Sequence, residues 1–81
     1  MEIRQRVKEL RKERKESQER VARAIDITLR NYQRVEMGEG FPSYPVLLAL
    51  ADHFQVNLDY LAGRTDVREM LPPSAQGEDL P

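Results

Sequence analysis

The chain has 81 residues, the length of one small domain with a single hydrophobic core, and no cysteine, which excludes disulfides and thiolate metal sites. Its longest apolar run, the six residues 46–51, is far shorter than the about 20 that span a bilayer. The start lacks the apolar segment of a secretory signal, so we expect a cytoplasmic protein with no membrane partner.

Charge is distributed unevenly along the chain, although the net charge is only −1. Residues 1–37 carry eleven Lys and Arg against seven Asp and Glu, and residues 38–81 carry two against seven. Because salt limits the reach of a charge to about 8–10 Å, the basic half can attract a polyanion despite the total. A solvated helical face followed by an acidic tail explains the same pattern, so charge alone leaves both interpretations open.

Apolar spacing predicts two helices before a tight turn. The first spans residues 2–15 and has one apolar stripe, formed by Ile3, Val7 and Leu10. Ser17 is placed to cap a second helix, residues 18–25, although Arg20 stands where a Glu or Gln would complete a capping box. Asp26 and Ile27 then interrupt the apolar pattern.

A third helix is predicted from Thr28, its capping residue, to Met37. It buries Tyr32 and Val35, and Gly38 follows where a left-handed backbone commonly ends a helix.

Two more helices are predicted in the acidic half. Ser43 caps the fourth, with Pro45 tolerated in its first turn, and Asn57 caps the fifth, which Gly63 closes. No strand pattern occurs, so residues 1–65 are expected to form one compact all-α, five-helix domain.

The remaining residues, 66–81, are expected to form a C-terminal tail. Val67, Met70 and Leu71 allow one helical turn, which packs back on the domain or meets a partner. The segment 72–79 has the composition of a disordered chain.

The two short helices on either side of Asp26 and Ile27 are the most informative feature. Helices this short are unstable alone, so tertiary packing must fix the angle between them. A helix, a tight turn and a crossing second helix can insert that second helix into the DNA major groove, which is about 12 Å wide. The free N–H groups at both helix starts would then face the phosphates.

Six segments between residues 3 and 65, in order and nearly without gaps, resemble the phage-repressor, Cro-type (XRE) helix-turn-helix family. They are RVKELR at 6–11, SQERVA at 17–22, TLRNYQRVEMG at 28–38, PS at 42–43, LLALA at 47–51 and VNLDYL at 56–61. The resemblance implies a lambda-repressor-like domain that binds operator double-stranded DNA, often as a symmetric homodimer.

Carried over residue by residue, the resemblance implies a DNA-binding set and a structural ion pair. The DNA-binding residues are Gln18, Thr28, Leu29, Arg30, Asn31, Gln33 and Arg34. Gln18 corresponds to a glutamine that touches a phosphate and buttresses the third helix, and Thr28 and Asn31 lie at the phosphates. Arg11 and Glu36 correspond to a partly buried salt bridge that sets the tilt of the third helix.

The other four residues match positions that read base edges, and their chemistry suits that role. An arginine donates two hydrogen bonds to guanine O6 and N7, so we expect Arg30 or Arg34 there. Gln33 suits adenine, and an exposed Leu29 suits a thymine methyl group. The alternative is that Leu29 packs inside a shifted helix.

Two residues depart from the family pattern. Glu39 stands in the loop after the third helix, where the family often has a Lys or Arg that meets phosphate, and this puts that contact in doubt. Asp26 stands where the turn often has Gly, and Asp tolerates a left-handed backbone better than most residues.

Two functions remain open on the sequence. The first is a sequence-specific transcriptional repressor that inserts the third helix into an operator as a homodimer. The second keeps the DNA-binding domain but uses the tail from Val67 onward to bind a protein partner, as an antitoxin does. No nucleophile–base pair, phosphate-binding glycine loop or metal set is visible, so we expect no enzyme and no cofactor. His53, the only histidine, and Glu16 are expected on the surface.

Overall fold

The computed structural model describes residues 2–70, and over this range the chain forms five α-helices and no strand. They are α1 (Ile3–Glu13), α2 (Gln18–Ala24), α3 (Leu29–Met37), α4 (Tyr44–Phe54) and α5 (Leu58–Leu61). The all-α, five-helix prediction is confirmed, and none of these helices is long and apolar enough to cross a membrane.

Local capping chemistry starts most of the helices where the sequence predicts. The side-chain oxygens of Ser17, Thr28 and Asn57 each accept the backbone N–H three residues later, at 3.0, 3.1 and 2.6 Å. Ser43 also precedes a helix, but its side chain makes no capping hydrogen bond. The proline in the first turn of α4 fixes a helical φ there without losing an intrahelical bond.

The core lies where α1 packs against α3, α4 and α5, while α2 packs on α3. Its largest fully buried side chains come from every helix and are Val7, Val21, Tyr32, Leu50 and Leu61. The predicted stripe of α1 is buried, and so is the inner face of α3. The outer face of α3 is thereby left to solvent.

The turn between α2 and α3 is closed by the backbone. Asp26 adopts a left-handed conformation, with φ of 61°, as its place in the pattern predicts. The N–H of Ile27 donates to the carbonyl of Ala22 at 3.0 Å, which ends α2. The short connection lets α2 pack directly on α3.

The end of α3 is a left-handed glycine cap. Gly38 has φ of 75°, and its N–H donates to the carbonyl of Val35 at 3.2 Å. The next N–H, that of Glu39, donates to the carbonyl of Arg34 at 3.0 Å. A Cβ at residue 38 would also lie 2.8 Å from Cδ of Arg4, so glycine suits this position in both conformation and space.

Residues 64–70, here called the C-terminal arm, pack on the domain without forming a helix. Residues 67–70 therefore form no helical turn, and Leu71, the last residue of the turn that Val67, Met70 and Leu71 allow, lies outside the described residues. The carbonyls of the arm accept hydrogen bonds from Asn57 instead of from within a helix. The side-chain amide of Asn57 donates to the carbonyls of Val67 and Glu69, at 2.6 and 2.9 Å. The backbone N–H of Asn57 donates to the carbonyl of Arg68 at 2.9 Å.

The rest of the expected tail lies outside the described residues, including Leu71 and the segment 72–79. The hypothesis that it binds a protein partner stays a prediction.

Candidate nucleic-acid interface

One side of α3 gathers the residues predicted to read bases. Six side chains line an open groove, here called the recognition face: Leu29, Arg30, Gln33, Arg34, Met37 and Glu39. Helical periodicity explains this grouping, because Tyr32 and Val35 occupy the opposite, buried side. The structure thus places four of the seven predicted DNA-binding residues on one surface.

Leu29 is the first residue of α3, and it is 37% exposed. The alternative in which Leu29 packs inside a shifted helix is therefore wrong. An apolar side chain held at the edge of a polar groove can contact another apolar group there.

Thr28 and Asn31 lie at the start of α3, beside the recognition face. The hydroxyl oxygen of Thr28 accepts the N–H of Asn31, and both residues are exposed. Since a hydroxyl both accepts and donates, its O–H remains able to donate outward to an anion. These residues stand next to the recognition face, and their contact with phosphate stays a prediction.

Gln18, the first residue of α2, connects to α3 through two side chains. Its Oε1 accepts from Nε2 of Gln33 at 3.3 Å, and its own Nε2 donates to Oε1 of Glu36 at 3.0 Å. The two amides therefore hold the start of α2 against the middle of α3.

Glu36 is the centre of a buried polar network on the inner side of α3. Arg11 donates through Nε to Oε2 at 2.6 Å and through Nη2 to Oε1 at 3.2 Å. The side chains of Arg11 and Glu36 are only 14% and 4% exposed, and the hydroxyl of buried Tyr32 also donates to Glu36. The structure thus forms the ion pair between α1 and α3 that the resemblance implies.

The hydroxyl of Tyr32 is a part of this network that sequence reasoning missed. The sequence predicts Tyr32 as a core or core-edge residue whose hydroxyl reaches water or phosphate; this is wrong for the hydroxyl, because Tyr32 is fully buried and donates to Glu36. Its position one helical turn before Glu36, an i, i+4 spacing, was the available signal. Burial, and then the hydrogen bond to Glu36, raises the pKa of the Tyr32 hydroxyl well above its ordinary value. It therefore stays a neutral donor.

The network keeps Glu36 ionised. Burial by itself would raise the pKa of Glu36, but hydrogen bonds from Arg11, Tyr32 and Gln18 outweigh it and hold the pKa below the ordinary 4.5.

Because the pKa of Glu36 is lowered, we expect the domain to lose stability at acidic pH. A carboxyl whose pKa is lower when folded stabilises the domain fully above its unfolded pKa, and that contribution is lost as pH falls through the folded value. Urea unfolding from pH 7 to pH 3 should show a steeper loss below about pH 4.5 for the wild type than for Glu36→Gln. Parallel curves for the two proteins would contradict the assignment to Glu36.

A hydrogen-bonded pair corrects two predictions, because Glu16 and His53 are partly buried rather than exposed. Lys15, with φ of 56°, turns the chain after α1, and Nε2 of His53 lies 2.9 Å from Oε1 of Glu16. Burial opposes ionisation of Glu16, but the hydrogen bond with His53 and the charges of Arg14 and Arg20 lower its pKa overall. The pair fastens the connection between α1 and α2 to α4.

Arg6 is a structural residue that the sequence analysis did not identify. Its side chain is 4% exposed, and Nη1 donates to the carbonyls of Tyr60 and Thr65 at 2.6 and 2.5 Å. Nη2 donates to Oδ1 of Asp66 at 2.6 Å, and the guanidinium lies 4.1 Å from the centre of the Tyr60 ring. The available signal was its position between Ile3 and Val7, on the buried stripe of α1.

Glu39 stands at the rim of the recognition face, where the family often has a cation. Its Oε1 lies 3.7 Å from Nε of Arg34, and the two side chains are 50% and 57% exposed. Within residues 2–70, no group of three or more His, Cys, Asp or Glu is arranged to hold a metal ion.

The chain is similar to proteins of known family. The family model described as "Helix-turn-helix" matches residues 7–61, which include all five helices except the start of α1. A cryptic phage CTXphi transcriptional repressor, RstR, from Vibrio cholerae serotype O1 (strain ATCC 39315 / El Tor Inaba N16961) is 36% identical over 73 residues. That match covers 88% of this chain and 65% of the relative, so the chain spans just under two thirds of the relative's length.

The fold also matches a solved protein–DNA complex. The crystal structure of the P22 c2 repressor protein with synthetic operator 9T in the presence of Tl⁺ superposes with a TM-score of 0.75 at 25% identity. The match covers 80% of this chain and 98% of that one, so the five helices have the lambda-repressor-like arrangement.

Proposed function

Because the chain belongs to the Cro-type (XRE) helix-turn-helix family, we propose that it is a transcriptional repressor that recognises a specific DNA sequence through α3. The observation that carries the proposal is the recognition face, where Leu29, Arg30, Gln33 and Arg34 line one exposed groove. The repressor function of RstR and the operator bound by the P22 c2 repressor support the same role.

The geometry supports a pose in which α3 lies in the major groove and the start of α2 faces the backbone. A helix with its side chains fits a groove of about 12 Å. Thr28 and Asn31 then contact phosphate at the start of α3, and Gln18 does so at the start of α2. These contacts fix the register but carry no sequence information.

In this pose, the side chains of the recognition face contact the base edges. Arg30 and Arg34 each offer a planar set of donors that matches guanine O6 and N7. Gln33 gives one N–H to Gln18, which leaves its second N–H and its carbonyl for adenine N7 and N6. Leu29 contacts a thymine methyl group.

A homodimer on a palindromic operator completes the proposal. Five of the six residues of the recognition face belong to a helix of nine residues, which reaches only a few base pairs, too few to specify one site. Two copies related by a twofold axis read two half-sites, whose centres lie about 10 base pairs, one helical turn, apart.

Selection from random duplexes tests the proposal. The wild-type chain is expected to enrich a palindromic sequence with half-sites about one turn apart. No enrichment at any salt concentration would contradict sequence-specific binding, and an asymmetric motif would contradict the dimer.

Two substitutions test the base-reading assignment. Arg30→Ala and Arg34→Ala are each expected to lower the affinity ratio between the selected and a random duplex by about 5- to 150-fold, the range for one lost bidentate contact. Fluorescence anisotropy measures the ratio, and thermal unfolding checks that the fold is kept. Arg64→Ala removes the same charge from the C-terminal arm and should leave the ratio unchanged. An unchanged ratio in both test variants would refute the assignment.

A further inference from the structure

We propose that Glu39 is a specificity-determining residue, which restrains Arg34 from binding phosphate and thereby favours its use on base edges. The inference rests on the proposed function, and it assigns a role to the residue that departs from the family pattern. Three features carry it: the backbone closure at Gly38, the ion pair, and the place of the pair on the recognition face.

The backbone makes Glu39 a fixed neighbour of Arg34. The left-handed turn at Gly38 reverses the chain, and the N–H of Glu39 donates to the carbonyl of Arg34 at 3.0 Å. In this type of helix end, the residue after the glycine often makes an apolar contact with the residue five positions earlier. Here an Arg and a Glu occupy those two positions, so an ion pair replaces the apolar contact.

The ion pair leaves the reading end of Arg34 available. Oε1 of Glu39 lies 3.7 Å from Nε, the nitrogen nearest the backbone, and both side chains are at least half exposed. A guanidinium has five N–H donors, of which four are on its two terminal nitrogens. Those two nitrogens can therefore still donate together to guanine O6 and N7.

Glu39 is the one carboxylate among the six residues of the recognition face. A flexible arginine on that face can bind any phosphate within reach, and such a contact is the same for every DNA sequence. The carboxylate attracts the guanidinium and repels phosphate, so it opposes this contact. The carboxylate should therefore lower the affinity for random DNA more than the affinity for the correct site, because at the correct site Arg34 contacts a base rather than a phosphate.

Glu39→Gln tests the inference, with Asp52→Asn as a matched control. Asp52 is an exposed residue of α4 that is not part of the recognition face, so its change alters the net charge equally. For Glu39→Gln we expect affinity for a random duplex to rise about 5-fold and its log–log salt slope to steepen by about one, because Arg34 gains one phosphate contact. Affinity for the selected duplex should change less than about 2-fold, and Asp52→Asn should alter neither value.

The same substitution in an Arg34→Ala background separates positioning from simple repulsion. If Glu39 acts through Arg34, Glu39→Gln no longer changes the random-duplex affinity or its salt slope there. An equal rise for both duplexes in the wild-type background, a rise that persists without Arg34, or no change would each overturn the inference. If the wild type selects a sequence and Glu39→Gln has the same affinities and salt slopes as the wild type, this inference alone is overturned. A wild-type chain that selects none overturns the proposed function as well.

Discussion

Glu36→Ala is expected to lower the free energy of unfolding by about 3–5 kcal/mol, the usual cost of breaking a buried ion pair by removing one partner. The substitution leaves the Arg11 guanidinium, 14% exposed, without its carboxylate, and removes the acceptor of the buried Tyr32 hydroxyl. Buried charges and donors without partners lower the stability most, since water does not solvate them in the folded state. Urea unfolding followed by circular dichroism measures the loss.

Glu13→Ala is the matched control for this prediction. Glu13 pairs with Arg68 at 2.7 Å, but the two side chains are 56% and 44% exposed, so the same chemical change should cost less than about 1 kcal/mol. Arg11→Met combined with Glu36→Leu removes both charges and should recover part of the lost stability. Equal losses for Glu36→Ala and Glu13→Ala would show that the network does not hold α1 to α3.

Arg6→Met is expected to destabilise the domain by about 2–4 kcal/mol, since each hydrogen bond to a charged group contributes about 1.5–3 kcal/mol and methionine fills part of the space. The variant leaves the carbonyls of Tyr60 and Thr65 without their donor and removes the cation from the Tyr60 ring. Arg4→Met, on the same helix with a side chain 48% exposed, should cost far less.

Hydrogen exchange gives the Arg6 prediction a local readout. The backbone N–H of Asn57 donates to the carbonyl of Arg68, so its protection reports whether the C-terminal arm is docked. Arg6→Met should speed exchange at Asn57 before the domain unfolds globally. Unchanged exchange there would mean that Asn57 holds the arm without help from Arg6.

Local chemistry explains what the sequence could predict. Ser17, Thr28 and Asn57 cap their helices through atoms three residues away, and Gly38 ends α3 through its own backbone, so short windows suffice. The recognition face follows from helical periodicity once the buried face of α3 is recognised.

Contacts between distant segments explain what the sequence could not predict. Arg6 is buried because carbonyls from a segment more than fifty residues later meet it, and no local pattern encodes those partners. Asn57 is predicted as an ordinary cap, yet its side-chain nitrogen also donates to two carbonyls of the arm, where residues 67–70 form no helical turn. The pairing of Arg11 with Glu36 came from the family resemblance, since spacing alone does not join α1 to α3.

The Arg6 contacts also bear on when the domain can fold during synthesis. Its partners lie 54, 59 and 60 residues later in the chain. At about 5–20 residues per second, a ribosome needs roughly 3–12 s to add that stretch. Helix α1 leaves the ribosome before the other four helices, but the guanidinium of Arg6 cannot be buried with its partners until residues 60–66 have also emerged. Completion of the core is therefore expected only after residues 60–66 have been made, as a step that joins both ends of the domain.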